Sequence, residues 1–169
     1  MASLEATVAQ PTPTISGTIG TLAIPALDRV VPIVSVGWRV DEIDGAQVAV
    51  WETVSGAAGH HRGSAPLGGE GNCVLSGHSS GEHGGVFDGL WDLQQGDPVY
   101  VTDKAGQVYS YVVGSVTKVR DMGVSLEERL VHAEAMDPTD DARLTLITCW
   151  PGWAYTHRVI VVARPAGSD

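Results

Sequence analysis

Two apolar, β-branched runs near the end of the chain are its clearest hydrophobic pattern. Residues 144–148 (Leu-Thr-Leu-Ile-Thr) predict one strand, and residues 159–163 (Val-Ile-Val-Val-Ala), apolar throughout, predict a second strand buried on both faces. Pro151 ends the first strand, because proline cannot donate a hydrogen bond to a β-ladder. If the two strands pair as a hairpin, Cys149 and Arg158 lie at the same end of the sheet.

Shorter runs of the same kind predict strands along the rest of the chain. These strands cover residues 18–24, 29–36, 72–76, 99–102 and 107–119. Pro32 lies inside the second of them, which favours an edge strand. The apolar spacing in residues 85–93 predicts one short helix, whereas residues 41–51 fit either a short helix or a connection. Residues 52–71 are rich in Gly, Ala and His and predict a loop.

The count of elements predicts an all-β fold. Ser125 and Glu128 have the spacing of a capping box, which predicts a helical turn. The total is seven or eight strands with one or two short helices, arranged as a closed β-barrel or a sandwich. Residues 1–16, with their Pro-Thr-Pro-Thr segment, predict a flexible linker, so we expect a folded domain over residues 17–165 and a short tail over 166–169.

Composition narrows the class of protein. A chain of 169 residues with 43% hydrophobic residues fits one globular domain with a full core. The 21 glycines and 9 prolines fit the many turns of an all-β fold. The formal net charge of −10 argues against nucleic acid as a partner and against a basic membrane-surface patch. No run of about 20 apolar residues and no signal peptide is visible.

Two cysteines are too few for a disulfide framework, and they differ in context. Cys73 lies within a predicted strand, where a small buried side chain is expected. Cys149 lies where a strand gives way to a loop, and a disulfide to Cys73 would consume this better nucleophile. A nearby cation stabilises a thiolate. His78, which directly follows another apolar strand, is the best candidate for that cation, with Arg158 as the third member of the set.

The order of these pieces along the chain resembles the sortases, bacterial cysteine transpeptidases that act at the cell surface. The resemblance runs from about residue 17 to residue 164 and rests on Leu-Ser-Gly-His at 75–78, Leu-Thr-Leu-Ile-Thr-Cys at 144–149 and Arg158 before an apolar strand. Supporting pieces are residues 19–25, 65–72 and 87–97. The Thr-Cys-Trp-Pro form and the short Cys-to-Arg loop most resemble the class D and class E sortases.

The resemblance implies a sortase-type closed barrel and a role for each residue of the site. Cys149 is the expected nucleophile, His78 the acid and base, and Arg158 the donor to the substrate carbonyl. Thr148 and Trp150, which flank the cysteine, are expected to bind substrate. The implied substrate is a sorting signal of a surface protein or pilin, similar to Leu-Pro-x-Thr-Gly or Leu-Ala-x-Thr-Gly. The acceptor is an amine of a cell-wall precursor or a pilin lysine.

The resemblance also implies where the protein acts and whether it needs a cofactor. No cofactor or metal is expected, and we expect the protein to act at the extracellular face of the cell membrane, anchored by a segment that precedes this sequence. A zinc site at four of the six histidines is disfavoured because the sequence has no HExxH motif and no CxxC pair; the four are His60, His61, His78 and His83. The carboxylates of residues 120–141 lack the spacing of an EF-hand calcium loop. His157 should point away from the face of Arg158.

Two other functions remain open from the sequence. One is a hydrolytic cysteine peptidase with the same cysteine and histidine. The other is a non-catalytic β-barrel that binds peptides or pilins. The labelling rate of the Cys149 thiol separates the binding protein from the two enzymes, and product analysis with and without an added amine separates the enzymes from each other.

Overall fold

Eight strands close into a β-barrel in the computed structural model, which describes residues 17–80 and 85–167. The strands are β1 (Thr18–Ile24), β2 (Arg29–Val36), β3 (Trp38–Ile43), β4 (Ala46–Trp51), β5 (Ala58–His61), β6 (Asn72–Ser76), β7 (Pro98–Asp103), β8 (Val108–Arg120), β9 (Arg143–Trp150) and β10 (His157–Pro165). Around the barrel the order is β1-β2-β5-β6-β9-β10-β8-β7, while β3 and β4 form a separate hairpin. The predicted all-β closed barrel is confirmed.

Two of the strand pairs in the barrel are parallel and the rest are antiparallel. β2 pairs with β5 and β6 pairs with β9 in parallel, whereas β9 and β10 form the antiparallel hairpin expected from their apolar runs. Within residues 17–80 and 85–167, the connections contain one α-helix, α1 (Leu126–Ala133), and three short 3-10 turns (Pro25–Leu27, Leu90–Asp92 and Glu134–Met136). None of the helices among the described residues is long and apolar enough to cross a membrane.

The barrel interior holds the core, and alternate residues of each strand fill it. In β9 and β10 the inward row includes Leu144, Leu146, Val159 and Val161, all fully buried. The outward row of β9 is also covered, since Thr145 is fully buried. Burying an aliphatic side chain such as Leu144 or Val159 stabilises the fold by roughly 1.5–3 kcal/mol. On the outward row of β10, Ile160 is buried at 7% exposure and Val162 is half-buried, so the prediction that residues 159–163 are covered on both faces is confirmed except for Val162.

Residues 41–51, which fitted a helix or a connection, belong to the β3–β4 hairpin. The strands turn at Asp44 and Gly45, which both have positive φ values (52° and 79°). Positive φ at both central residues is what a two-residue hairpin turn of the favoured twist requires, and Asp-Gly meets that requirement. The hairpin therefore has a local cause in the sequence.

The short helix predicted over residues 85–93 is wrong except for one 3-10 turn at Leu90–Asp92. The apolar spacing correctly marked buried positions, since Val86, Phe87, Leu90 and Leu93 all pack in the core. Gly89 has a φ of 82°, a left-handed conformation that an α-helix cannot contain. The segment therefore buries its apolar side chains through a series of turns.

Two further predictions about the barrel strands, one for β2 and one for residues 52–71, are wrong. β2 is not an edge strand, since it pairs with β1 on one side and β5 on the other. Its ladder with β5 begins at Ile33, one residue after Pro32, so the missing N–H is not needed there. The predicted loop over residues 52–71 contains β5, whose four residues include no β-branched side chain to signal a strand.

The connection between β8 and β9 packs on the outside of the barrel. Its helix α1 begins as predicted, because the side chain of Ser125 accepts a hydrogen bond from the backbone N–H of Glu128 at 3.1 Å. Beyond the helix, the buried Asn72 donates to the carbonyls of Ala135 and Asp137, both at 2.9 Å. This contact ties the connection to the start of β6. The predicted linker over residues 1–16 lies outside the described residues.

Candidate active site

The predicted nucleophile and the predicted arginine lie opposite each other on neighbouring strands. Cys149, the next-to-last residue of β9, is the register partner of Arg158, the second residue of β10. Opposite residues in an antiparallel pair project their side chains from the same face of the sheet. That face is the outer one, because Leu146 and Val159, which belong to the alternate rows, pack in the barrel core. A thiol and a permanent cation therefore share one end of the outer wall.

His78 reaches the same end of the sheet on the next strand. β6 runs parallel to β9 with Ser76 level with Ile147, and the Gly77 N–H continues the ladder by donating to the Ile147 carbonyl at 3.1 Å. His78 stands two residues beyond Ser76, just as Cys149 stands two residues beyond Ile147. The structure thus brings the three predicted residues to the ends of the adjacent strands β6, β9 and β10.

Close backbone packing fixes the turn that carries His78. A Cβ added at Gly77 would lie 2.6 Å from the Val86 side chain, and one added at Gly85 would lie 2.2 Å from the carbonyl oxygen of His78. That carbonyl accepts a hydrogen bond from the Phe87 N–H at 2.9 Å. The Ser-Gly-His segment therefore needs its glycine because only a residue without a Cβ fits there.

The two thiols have different environments. Cys149 is half-buried, and burial raises its pKa above the ordinary value for cysteine. The positive charge of Arg158 opposes this rise, while the negative charge of Asp121 adds to it. Cys73 is only 1% exposed in the barrel core, where burial raises its pKa to about 12. Both cysteines are free, and the prediction that Cys73 is a small buried core residue is confirmed.

Arg158 has one long contact with a carboxylate. Its Nη2 lies 3.4 Å from Oδ2 of Asp121, and the two side chains remain 36% and 30% exposed. Its Nε is buried and has no hydrogen-bond partner within residues 17–80 and 85–167. A contact of this length is weak, and an unpaired buried donor is unfavourable. The guanidinium therefore retains hydrogen-bond donors that no residue of the described chain satisfies.

The two residues that flank the cysteine are held by the protein itself. The hydroxyl of Thr148 donates to the Gly77 carbonyl at 2.8 Å, which joins β9 to the histidine turn. The ring of Trp150 lies 3.4 Å below Nζ of Lys118 and packs edge-on against His157. His157 points to the face opposite the predicted arginine, as expected. Substrate binding by Thr148 and Trp150 stays a prediction.

His61 is buried, although it belongs to residues 52–71, for which the sequence predicts a loop. It is 3% exposed, its Nε2 lies 2.9 Å from the Ser76 hydroxyl, and its ring stacks on Trp51 with centroids 4.1 Å apart. Burial first, and then the charges of His60 and Arg158, lower its pKa to about 4. The ring is therefore neutral at physiological pH. Only its place as the last residue of β5 could have indicated burial, and the sequence of that segment predicted a loop.

A cavity of about 420 Å³ adjoins His61 on the outer wall. The hairpin contributes Trp38 and Trp51 to it, the segment after β5 contributes Arg62, and the start of β6 contributes Asn72. Asn72 belongs to the outward row of β6, because its side chain accepts a hydrogen bond from Thr145 of the outward row of β9 (2.6 Å). The cavity thus lies on the same outer wall as the cysteine.

Metal ligands are not assembled in the described part of the chain. No group of three or more His, Cys, Asp or Glu side chains there is placed to hold a metal ion. His60 instead bonds to the Ala65 carbonyl at 2.8 Å, and His83 lies outside the described residues. The expectation that the site needs no metal or cofactor stays a prediction.

The structure has an eight-stranded closed barrel with cysteine, histidine and arginine at three adjacent strand ends. The sequence resemblance leads us to expect this arrangement. A sequence model of the sortase domain matches residues 22–166, which runs from within β1 to just past β10. This chain belongs to the sortase family.

Similar proteins agree with this assignment. Sortase A of Listeria monocytogenes serovar 1/2a (strain ATCC BAA-679 / EGD-e) is 32% identical over 96 residues, which are 57% of this chain and 39% of that protein. A lid mutant of sortase A from Corynebacterium diphtheriae superposes with a TM-score of 0.68 at 27% identity, covering 94% of this chain and 75% of that one. Sortase C-1 from Actinomyces oris shares the fold with a TM-score of 0.65 at 23% identity, covering 92% and 77%.

Proposed function

We propose that this chain is a cysteine transpeptidase that cuts a sorting signal similar to Leu-Pro-x-Thr-Gly or Leu-Ala-x-Thr-Gly after its threonine. The observation that carries the proposal is the placement of His78, Cys149 and Arg158 at the ends of three adjacent strands. Membership of the sortase family supports the class of reaction. The burial, charges and hydrogen bonds around these side chains support the chemical steps that we assign to them.

Cys149 acts in the first half-reaction. Its thiolate attacks the carbonyl carbon of the substrate threonine, and the bond from that carbon to the following nitrogen breaks. His78, as imidazolium, donates a proton to the leaving nitrogen, so the second half of the substrate departs as a neutral amine. The first half remains on Cys149 as a thioester. Because the pKa of Cys149 is raised, the thiolate is the minor form at neutral pH.

Arg158 stabilises the charge that develops on the substrate carbonyl oxygen. Its Nε has no other partner among the described residues, and its contact with Asp121 is long. A hydrogen bond from a cation to an oxyanion is short and strong, and it is stronger in a site partly shielded from water. Arg158 therefore favours the transition state over the bound substrate.

An amine acceptor completes the reaction. Its nitrogen attacks the thioester carbon, His78 takes the proton that this nitrogen loses, and Cys149 leaves as thiolate. The product is a new amide bond between the sorting signal and the acceptor. Water in place of the amine gives slow hydrolysis. The proposed acceptor is a cell-wall precursor or a pilin lysine.

The same proposal extends to the partners and the place of action. Sorting signals of surface proteins or pilins are the proposed substrates, and the extracellular face of the cell membrane is the proposed location. Family membership supports both, and the net charge of −10 disfavours a nucleic acid partner. The class D or class E assignment stays a prediction.

The test is product analysis by mass spectrometry of sorting-signal peptides, incubated with and without an added amine. We expect an amide-linked product only when the amine is present and no conversion by Cys149→Ala. Release of the free acid alone, at the same rate in both conditions, would favour the hydrolytic peptidase. Peptide binding with no conversion and an unreactive Cys149 would favour the non-catalytic barrel.

A further inference from the structure

Two hydrogen bonds join the histidine turn to the loop between β9 and β10. The Ser80 hydroxyl lies 2.6 Å from the Gly152 carbonyl oxygen and 2.8 Å from the Tyr155 hydroxyl. Ser80 is two residues beyond His78, and the β9–β10 loop directly follows the strand that carries Cys149. We call this contact the Ser80 bridge.

The hydrogen positions in the Ser80 bridge follow from its partners. A hydroxyl has one proton, and a carbonyl oxygen can only accept. Ser80 therefore donates to Gly152 and accepts from Tyr155. The two hydrogen bonds are compatible, because the Ser80 hydroxyl uses its proton in one and a lone pair in the other. Tyr155 contributes to the contact only through Ser80.

The loop is shaped to make this contact. Tyr155 has a φ of 52°, uncommon for a residue with a large side chain, and its N–H donates to the Pro151 carbonyl at 2.9 Å. A Cβ added at Gly152 would lie 3.1 Å from Cβ of Ser80 and 3.3 Å from the carbonyl oxygen of Ser79. The two segments are thus already in close contact at Gly152.

We propose that Ser80 and Tyr155 are positioning residues that hold the imidazole of His78 in register with the thiol of Cys149. The inference rests on the proposed function of that pair. The Phe87 N–H fixes the His78 backbone from the side of the barrel, and the Ser80 bridge fixes the turn from the side of the cysteine. Without the bridge the turn moves independently of Cys149, and misplacement by about 1 Å lowers a rate by up to a hundredfold.

The experiment compares Ser80→Ala, Tyr155→Phe and the double variant, with Ser79→Ala as matched control. Ser79 is 3% exposed, and its hydroxyl has no hydrogen-bond partner in the part of the chain that the structure describes. We expect Ser80→Ala to lower kcat about tenfold with little change in KM. The double variant should equal Ser80→Ala, because the tyrosine acts through the serine, and Ser79→Ala should match the wild type.

Gly152→Ala tests the bridge from the other side. It removes no hydrogen-bonding group, but its methyl group pushes Ser80 away, so kcat should fall as in Ser80→Ala. Any of four results would overturn the proposal: wild-type kcat in Ser80→Ala, an equal loss in Ser79→Ala, an additive double variant, or a rise in KM alone.

A readout that needs no peptide keeps the two proposals separate. The pH profile of Cys149 alkylation depends on the charge placed beside the thiol. It should shift in Ser80→Ala and remain unchanged in Ser79→Ala. If the wild type converts no sorting peptide while this shift is present, the proposed function fails and the Ser80 bridge stands. If peptides are converted and no shift occurs, the bridge alone is refuted.

Discussion

Replacement of Arg158 by lysine separates a catalytic role of this residue from a structural one. Lysine keeps the charge but lacks the planar fork of donors. In the structure the Nε donor has no partner among the described residues, and the Arg158 side chain is only 36% exposed, so it is partly shielded from water. Loss of one such charge-assisted bond should cost about 2–4 kcal/mol of transition-state stabilisation, a fall in kcat/KM on the order of a hundredfold.

The stability of the fold should hardly change in the same variant. The ion pair between Arg158 and Asp121 is long and about a third exposed, so it contributes less than about 1 kcal/mol. For a chain of this size, that corresponds to a change in Tm of at most about 2–4 °C. Kinetic and thermal measurements on the same samples therefore distinguish the two roles.

The assay is steady-state turnover of a fluorogenic sorting peptide with an amine acceptor, for Arg158→Lys, Arg158→Ala and the control Arg164→Lys. Arg164 lies on the same strand and pairs with Asp141, away from the cysteine. The control should retain wild-type turnover. Near-wild-type turnover in both folded Arg158 variants would refute the reasoning, leaving only a cysteine and a histidine in the site.

Three more outcomes follow from the structure. Cys149→Ala should abolish turnover while Cys73→Ala keeps most of it, and a folded but dead Cys73 variant would show that the nucleophile is misassigned. Asp121→Asn should lower the pKa of Cys149, because the carboxylate raises it; the pH profile of thiol alkylation should move to lower pH, and an upward shift would contradict this. Asn72→Ala should lower the free energy of unfolding in urea by about 1–3 kcal/mol, because it leaves the Thr145 hydroxyl and two backbone carbonyls unpaired; an unchanged midpoint would contradict the role of Asn72.

The strand ends of the site could be predicted because each has a local signal. An apolar run followed by Pro151 marks the end of β9, and an apolar run followed by Gly77 marks the end of β6. The pairing of β6 with β9 has no local signal. Their paired residues are about 70 positions apart in the sequence, as Ser76 and Ile147 illustrate. The expectation that these ends meet came from the stabilisation of a thiolate by a nearby cation and from the sortase resemblance.

The residues that surround the site could not be predicted because long-range packing determines their environment. His61 is buried by stacking on Trp51, which arrives on a separate hairpin. Asp121 follows β8 and meets Arg158 only because β8 pairs with β10. The Asp44-Gly45 turn differs from these cases, since its signal was local and was overlooked among the polar residues around it.

The two free cysteines occupy opposite faces of one barrel wall, and this gives the protein a built-in pair of conformational probes. A thiol reagent in solution can reach Cys149 in the native state, because that side chain is half-buried at the open end of the wall. It can reach Cys73 only when the barrel opens, because that side chain is 1% exposed. With Cys149 replaced by alanine, the labelling rate of Cys73 under native conditions therefore reports the free energy of barrel opening without denaturant or an added dye.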